Sequence, residues 1–262
     1  MCLDDGIVNL SFEAIKKAGE IALEYSKKEI EFKYKSKNQP VTEADISINN
    51  YLENFFQKHT PSFGWVSEES IDNKSRLERD FFWCVDPIDG TRSFINKSPQ
   101  YSISIALLKK NNPIFGIVYN PCTNQKFHAI KNNGAFCNGD RITVGKVNNL
   151  EKARIAISSS ESKQFDRKKL KFKNIEKIGS IAYKIALVAN GTIDATLSFS
   201  KKSDWDIAAA SIILSEAGGK ITSLSGEKIF YNSINLKIPS LISANVAIHK
   251  KFCDKIRFNE SI

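Results

Sequence analysis

The chain has 262 residues, 42% of them hydrophobic, and a formal net charge of +9. This length can bury a substantial core, either as one large domain or as two packed halves. The first residues, Met1 to Asp5, are acidic where a signal peptide would be basic, and no apolar run approaches the roughly 18 residues of a membrane span. We therefore expect a cytoplasmic protein without a membrane span.

The positive charge suits an anionic partner, either nucleic acid or a phosphorylated metabolite. Abundant lysine, asparagine and isoleucine are also what a biased genome produces, so the basic stretches Lys33 to Lys37 and Arg167 to Lys173 are interpreted as solvated faces. The five cysteines form no C-x-x-C pair, which disfavours a zinc or redox motif and predicts reduced structural thiols. They are Cys2, Cys84, Cys122, Cys137 and Cys253.

Two amphipathic helices are predicted near the start of the chain. Apolar residues recur at helical spacing from Leu10 to Tyr25, and a basic linker follows. The run Thr42 to Asp45 is typical of a capping box and opens a second helix. Its expected buried stripe is Ile48, Leu52, Phe55 and Phe56.

The pattern then changes to strands. Phe81 to Val85 is a short apolar run typical of a buried strand, expected to stop at Asp86-Pro87. Further β-rich segments and Asn-Gly turn signals predict an antiparallel sheet. These segments are Tyr101–Leu108, Pro113–Tyr119 and Lys126–Ile130.

From about residue 153 strands alternate with helices, and glycines follow the helix ends. The expected elements are strands at Ile155–Ser158, Ile193–Phe199, Lys220–Ser223 and Ser240–Ser243, helices at Ser180–Ala189 and Asp206–Ala217, and a terminal helix. The sequence thus predicts an α+β or α/β fold whose halves, 1–150 and 151–262, pack as one integrated unit.

The segment Asp86-Pro87-Ile88-Asp89-Gly90-Thr91 carries the clearest chemical signal. Two carboxylates three residues apart can converge on one point, as a hard cation such as Mg²⁺ requires. Gly90 permits close backbone approach, so its N–H and that of Thr91 could face a phosphate oxygen, and the Thr91 hydroxyl could hold a water. The alternative is a plain turn without a metal. However, the pattern D-P-x-D-G-T is expected by chance in only about one of ten thousand chains of this length.

Two further acidic segments fit the same purpose. Glu68 and Glu69 follow the apolar pair Trp65-Val66 near a predicted strand end, although adjacent glutamates are commonly solvated. Asp206 stands at the start of a small-residue helix, where it either caps the helix or turns outward as a ligand. The three histidines fit no nucleophile–base or zinc pattern, so structural or surface roles are expected for His59, His128 and His249.

Together these segments resemble the inositol monophosphatase superfamily, which includes the 3'(2'),5'-bisphosphate nucleotidases. The resemblance covers nearly the whole chain and implies a layered αβαβα sandwich of the inositol monophosphatase/fructose-bisphosphatase type. The motifs that carry it are Val41–Asp45, Ser67–Ser70, Asp86–Thr91, Gly134–Gly139, Trp205-Asp206 and Glu216–Gly219.

The resemblance implies a Mg²⁺-dependent, lithium-sensitive phosphomonoesterase that binds two or three ions. Glu68, Asp86 and the Ile88 carbonyl would hold the first Mg²⁺, and Asp86, Asp89 and Asp206 the second. Glu68 would also contact a weaker third ion. The superfamily commonly forms homodimers, so a homodimer is expected.

The resemblance also implies catalytic roles for Thr91, Glu68 and Asp45. Thr91 and Glu68 would orient the attacking water, and Asp45 would support Thr91. The alternative role of Asp45 is that of the acid in the capping box. Because the transition state is dominated by phosphoryl charge, positioning and cations supply most of the catalysis without a protein nucleophile.

The substrate is expected to be a small phosphate ester. Inositol-specific members place a glutamate seven residues before the Trp-Asp aspartate, where this chain has Phe199, followed by Lys201 and Lys202. An apolar ring beside two cations suits a nucleobase and a second phosphate, and Arg92 is basic as in the bisphosphate nucleotidases. Lys184 is either another phosphate contact or a surface lysine. The predicted substrate contacts are Gly90, Thr91, Arg92, Lys184, Phe199, Lys201 and Asp206.

The sequence favours conversion of 3'-phosphoadenosine 5'-phosphate to AMP. Inositol-1-monophosphatase is the first alternative, because Gly134 to Gly139 looks more like the inositol enzymes, and sugar bisphosphates remain open. An RNA-binding or regulatory protein on the same fold is the alternative of another class. Nucleic acid is an unfavoured partner, because the basic stretches lack the interleaved aromatics of single-strand binders.

Overall fold

The structure is a computed structural model that describes residues 4–36, 38–162, 164 and 172–260, the last six by their backbone alone. Most of the basic stretch predicted at Arg167 to Lys173 lies outside these residues, as do Lys37 and Cys2. The other four cysteines are free thiols.

Helices α1 (Asp5–Ser26) and α2 (Glu43–His59) form the first layer. The predicted capping box of α2 is confirmed: the Thr42 backbone N–H donates to Asp45 Oδ2 at 2.8 Å, and the Thr42 hydroxyl accepts from the Asp45 N–H. The predicted basic linker is wrong, because this segment forms an antiparallel hairpin of β1 (Phe32–Ser36) and β2 (Gln39–Thr42).

A seven-stranded sheet lies beneath these helices, with its strands in sequence order. It is antiparallel except for the parallel pair β3 and β4. Its strands are β3 (Gly64–Ser67), β4 (Phe81–Asp89), β5 (Ser102–Lys109), β6 (Asn112–Asn120), β7 (Gln125–Ile130), β8 (Ala135–Cys137) and β9 (Asp140–Ile142).

Strand β4 is buried on both faces, which explains its continuous apolar run. Trp83 packs in the cluster beneath α1 and α2, whereas Phe82 packs in the cluster on the opposite face. The predicted end of the strand at Asp86 is wrong, because pairing with β5 resumes at Asp89 after an irregularity. Pro87 lacks an N–H to donate, and such residues are tolerated in a sheet at bulges.

The second half of the chain builds a five-stranded mixed sheet, ordered β11-β10-β12-β16-β14, and a separate small pair, β13-β15. The unpredicted strand β11 is exposed along its whole length, so it carries no hydrophobic alternation for a sequence pattern to detect. The strands are β10 (Arg154–Ile157), β11 (Asn174–Lys177), β12 (Ala195–Ser198), β13 (Lys202–Ser203), β14 (Gly219–Ser223), β15 (Lys237–Ile238) and β16 (Leu241–Asn245).

Helices between and outside the sheets complete five layers. After the short helix α3 (Thr91–Ile95), α4 (Ile181–Ala189) and α5 (Asp204–Glu216) lie between the two sheets. Helix α6 (Val246–Glu260) packs on the outer face of the five-stranded sheet. The predicted αβαβα sandwich is therefore confirmed.

The central hydrophobic cluster contains residues from both sides of residue 150, including Phe82 and Ala156. Every residue of α4 is buried, as expected for a helix covered on several sides. Among the described residues no helix has both the length and the apolar character needed to cross a bilayer.

Gly116 sets how closely α5 approaches β6. A Cβ at this position would lie 2.5 Å from the Ala209 carbonyl oxygen, so Gly116→Ala must push the helix away from the sheet. We expect this variant to lose about 1–3 kcal/mol of unfolding free energy in urea denaturation. Gly6→Ala, in the first turn of α1, is the control and should show no loss, because alanine is the better helix former. Equal stability of the two variants would contradict close packing at Gly116.

Candidate metal centre and cleft

The acidic residues singled out in the sequence come together where the two halves meet. Glu68 follows β3, Asp86 lies near the end of β4, and Asp206 stands in the first turn of α5. One carboxylate oxygen from each lies within 4.8 Å of the others. Glu68 and Asp206, which are 138 positions apart in the sequence, therefore face a common point.

Asp86 is the clearest sign that this point is built for a cation. Both of its carboxylate oxygens are buried and have no hydrogen-bond partner. Burial raises the pKa of Asp86 well above its usual value, and the Glu68 and Asp89 carboxylates raise it further. Uncompensated buried carboxylates are costly, whereas oxygen donors are the preferred ligands of Mg²⁺. The donor set therefore fits a hard divalent cation.

Asp206 serves two purposes. Its Oδ2 accepts from the Ser203 N–H at 2.7 Å in a capping box that begins α5, so the plain capping interpretation is confirmed. The same carboxylate also belongs to the acidic group. Burial, with the Glu68 and Asp89 charges, raises the pKa of Asp206 to about 7.

Asp89 is held by the start of α4. Its Oδ2 accepts from the Ser180 hydroxyl at 2.5 Å and from the Ala182 N–H at 2.6 Å. Ser180 Oγ also lies 3.0 Å from Ser102 Oγ and accepts from the Tyr183 N–H, which caps the helix. The pKa of Asp89 is raised because burial outweighs these hydrogen bonds.

Ser180 was not predicted as a site residue, although its place at a predicted helix start was visible. Its φ of 49° lies in the left-handed region that non-glycine residues rarely occupy. Such strain persists where surrounding contacts determine the conformation. Here the hydroxyl is needed both by the helix and by Asp89.

Thr91 lies between Asp45 and the strand end. Its Oγ1 is 3.2 Å from both Asp45 Oδ1 and the Ile88 carbonyl oxygen. Asp45 uses its other oxygen for the α2 capping box, so capping and contact with Thr91 coexist. Burial raises the pKa of Asp45 to about 6.

The two glutamates after β3 are not simple solvated residues. Only 3% of the Glu69 side chain is exposed, and Lys35 Nζ lies 2.6 Å from Glu69 Oε1 and 2.9 Å from Glu68 Oε1. Burial raises the pKa of Glu69 to about 7. Lys35 was missed because its pairing depends on how the hairpin packs near Glu68 and Glu69, which no local pattern shows.

A cleft of about 620 Å³ surrounds the acidic group. Arg92 and Lys202 both line it, and the Arg92 guanidinium donates to the Asn38 carbonyl at 2.5 Å. Ser158, Ser159 and Ser160 also line the cleft. The predicted residues in its lining are Glu68, Asp86, Ile88, Asp89, Gly90, Thr91, Arg92 and Asp206.

The structure does not bring Phe199 and Lys201 into this lining. Alternate strand residues share a face, so Phe199 follows Leu197 towards the hydrophobic cluster under α6 rather than towards the cleft. Lys201 is exposed, and its neighbour Lys202 faces the cleft instead. The prediction that Phe199 meets a nucleobase in the cleft is therefore wrong, and the lysine that lines the cleft is Lys202 rather than Lys201.

Lys184 is not a surface lysine, so that interpretation is wrong. It is completely buried in α4, and its Nζ donates to Ser158 Oγ at 2.7 Å. Burial lowers the pKa of Lys184 to about 8. It thus lies behind the cleft wall, in contact with a residue of that wall.

Comparisons with known proteins agree with this geometry. The model of the inositol monophosphatase family matches residues 4–260. Inositol monophosphatase 2 of Solanum lycopersicum is 33% identical over 236 residues, covering 84% of this chain and 88% of that one. The 3'(2'),5'-bisphosphate nucleotidase CysQ of Aggregatibacter actinomycetemcomitans is 30% identical over 239 residues, covering 84% and 85%.

Solved structures show the same fold. IMPase from Thermotoga maritima superposes with a TM-score of 0.86 at 27% identity and covers 98% of both chains. The extragenic suppressor protein suhB from Bartonella henselae gives a TM-score of 0.85 at 26% identity, covering 96% of this chain and 98% of that one.

The fold, the acidic cleft and these relatives define a metal-dependent phosphoric monoester hydrolase. The chain belongs to the inositol monophosphatase family. These two relatives carry different substrate names at similar identity, so family membership fixes the reaction class and leaves the substrate open.

Mg²⁺ should stabilise the folded protein, because it relieves repulsion among the buried carboxylates. At a hundred times its Kd a ligand contributes about 2.7 kcal/mol, which raises Tm by roughly 5–10 °C for a chain of this size. Thermal unfolding with MgCl₂ and with EDTA measures this difference.

Asp86→Asn should remove most of that Mg²⁺-dependent increase in Tm. Asp140→Asn, which changes an exposed aspartate outside the cleft, is the matched control and should retain it. An Asp86→Asn protein that keeps the full increase would place the cation elsewhere.

Proposed function

We propose that this enzyme is a Mg²⁺-dependent 3'(2'),5'-bisphosphate nucleotidase that converts 3'-phosphoadenosine 5'-phosphate to AMP. The observation that carries the proposal is that Arg92 and Lys202 line the same cleft as the acidic group. Bound metal would neutralise the carboxylates. Arg92 and Lys202 would then be able to bind a second anionic group of the substrate, in addition to the phosphate that is hydrolysed. The homodimer and the cytoplasmic location stay predictions from the sequence.

The buried carboxylates are proposed to hold the metal. Glu68, Asp86 and the Ile88 carbonyl would bind one ion, and Asp86, Asp89 and Asp206 a second, with Glu68 contributing to a weaker third. The Ile88 carbonyl lies near the Thr91 hydroxyl but has a second lone pair available. Bound Mg²⁺ supplies positive charge at the phosphoryl group and makes a water more acidic.

Thr91 is proposed to orient the attacking water. When its hydroxyl proton points to Asp45 Oδ1, its lone pairs can accept a hydrogen bond from that water. Asp45 is itself fixed by the backbone of Thr42, so the hydroxyl direction is set by the start of α2. Glu68 lines the same part of the cleft and would restrain the water from the other side.

Thr91→Val should lower kcat by about a hundredfold, because it removes the hydroxyl that orients the water. Thr91→Ser keeps the hydroxyl and should retain most of the activity. Phosphate release at saturating Mg²⁺ compares the two, with the Mg²⁺-dependent Tm showing that each variant still binds metal. Equal kcat for the valine and serine variants would remove Thr91 from the mechanism.

The substrate assignment is tested by phosphate release from 3'-phosphoadenosine 5'-phosphate and from inositol 1-phosphate, with and without lithium. We expect a higher kcat/KM for the nucleotide and inhibition by lithium. Lys202→Met should lower kcat/KM for the nucleotide about tenfold or more, because a charge-assisted contact is lost. Lys201→Met is the matched control and should retain the nucleotide preference. A preference of the wild type for inositol 1-phosphate would overturn the assignment and keep the metal site.

A further inference from the structure

A buried carboxylate behind the cleft wall is not part of the metal centre. Glu161 is only 3% exposed and ends a short 3-10 helix. Its Oε1 accepts from the Ser198 hydroxyl at 2.6 Å, the Phe199 N–H at 3.0 Å and the Ser200 hydroxyl at 3.2 Å. Its Oε2 accepts from the Ser158 hydroxyl at 3.0 Å. One side chain thus joins the segment at Ser158, which lines the cleft, to the segment Ser198–Ser200, which leads to Lys202.

In each of these segments, one serine hydroxyl also accepts a hydrogen bond from a lysine. Lys184 Nζ donates to Ser158 Oγ at 2.7 Å, and Lys202 Nζ donates to Ser200 Oγ at 2.9 Å. The network holds one carboxylate and two ammonium groups, so it carries a net positive charge. Lys202 presents that charge to the cleft.

The charges within the network support an ionised Glu161. Burial alone would raise its pKa, but Lys202, the Ser198 hydrogen bond and Lys184 together hold the pKa below its usual value. A carboxylate that accepts several hydrogen bonds is an effective fixed anchor, because every bond is charge-assisted.

Lys202 needs such an anchor because of what lies nearby. It lines the same cleft as Asp89 and Asp206, so its ammonium group is attracted by the acidic group. A lysine side chain is long and flexible, so without a tether it would turn towards those carboxylates. It would then compete with the metal instead of meeting a substrate.

We propose that Glu161 is a positioning residue that holds Lys202, through Ser200, as the receptor for a non-reacting anionic group of the substrate. The inference rests on the proposed function and deepens it. It assigns substrate discrimination to a wall made of Ser158–Ser160 and Lys202, backed by Glu161 and Lys184. The receptor takes a second phosphate on the leaving-group side of the ester.

A matched pair of substrates isolates this role. 3'-Phosphoadenosine 5'-phosphate and 3'-AMP differ only in the 5'-phosphate, so the ratio of their kcat/KM values measures recognition of that group. Glu161→Gln keeps the shape of the side chain and removes its charge. We expect the ratio to fall about tenfold, mainly through a higher KM for the bisphosphate, because charge-assisted hydrogen bonds become neutral ones.

A second pair of variants cuts the link at an exposed position. Ser200→Ala removes the hydroxyl between Glu161 and Lys202, and we expect it to lower the ratio in the same direction. Ser200→Thr retains a hydroxyl and should restore the ratio towards that of the wild type. If Glu161→Gln does not fold, as judged by thermal unfolding, the Ser200 pair decides the question.

The outcomes separate the two levels of the proposal. If the wild type does not prefer the bisphosphate over 3'-AMP, the proposed function fails and this inference fails with it. If the wild type prefers the bisphosphate but Glu161→Gln and Ser200→Ala keep the full ratio, only the positioning role of Glu161 is overturned. A fall in kcat for both substrates alike would also overturn it, because that pattern indicates a general structural effect.

Discussion

The repulsion among buried carboxylates is the constraint on which this structure depends. Asp86 has two buried oxygens without partners, and Glu68, Asp89 and Asp206 all raise its pKa. Such an arrangement destabilises the folded chain unless a cation compensates it. It must therefore be held in place by packing elsewhere, and the large core that spans both sheets provides this.

Several of the acids gain orientation from the start of a helix. Asp45 and Asp206 occupy the same capping-box position in α2 and α5, and each uses one oxygen for its own helix. Asp89 instead accepts from the start of α4. A carboxylate fixed on one side by backbone N–H groups has a defined direction for its remaining lone pairs. The same hydrogen bonds that cap the helices thus also orient the carboxylates of the metal centre.

Most of the layers and the members of the acidic group could be predicted from the sequence, because both depend on residues that are close together in the chain. Hydrophobic periodicity indicated the helices, and Asp86 to Thr91 combines a strand end, a bulge and a turn within six residues. The failures depend on distant packing. Nothing local shows that Lys184 lies between two sheets or that Lys35 folds onto Glu69. The outward direction of Phe199 was accessible in principle, since it continues the alternation of Leu197 in β12.

The wall that we propose for substrate choice lies in a different part of the molecule from the metal centre. The carboxylates come from both halves of the chain, whereas Glu161, Lys184 and Lys202 all belong to the second half. On that proposal, changes in the wall of Ser158–Ser160 and Lys202 would alter which ester is accepted without displacing Asp86 or Asp89. Overall identity is a weak guide to the substrate, because an inositol monophosphatase and a bisphosphate nucleotidase match the chain at 33% and 30% identity. On that proposal the choice depends on a few side chains that line the cleft beside the carboxylates. In this chain they are Arg92, Ser158 to Ser160 and Lys202, and Lys202 is linked through Ser200 to the buried Glu161.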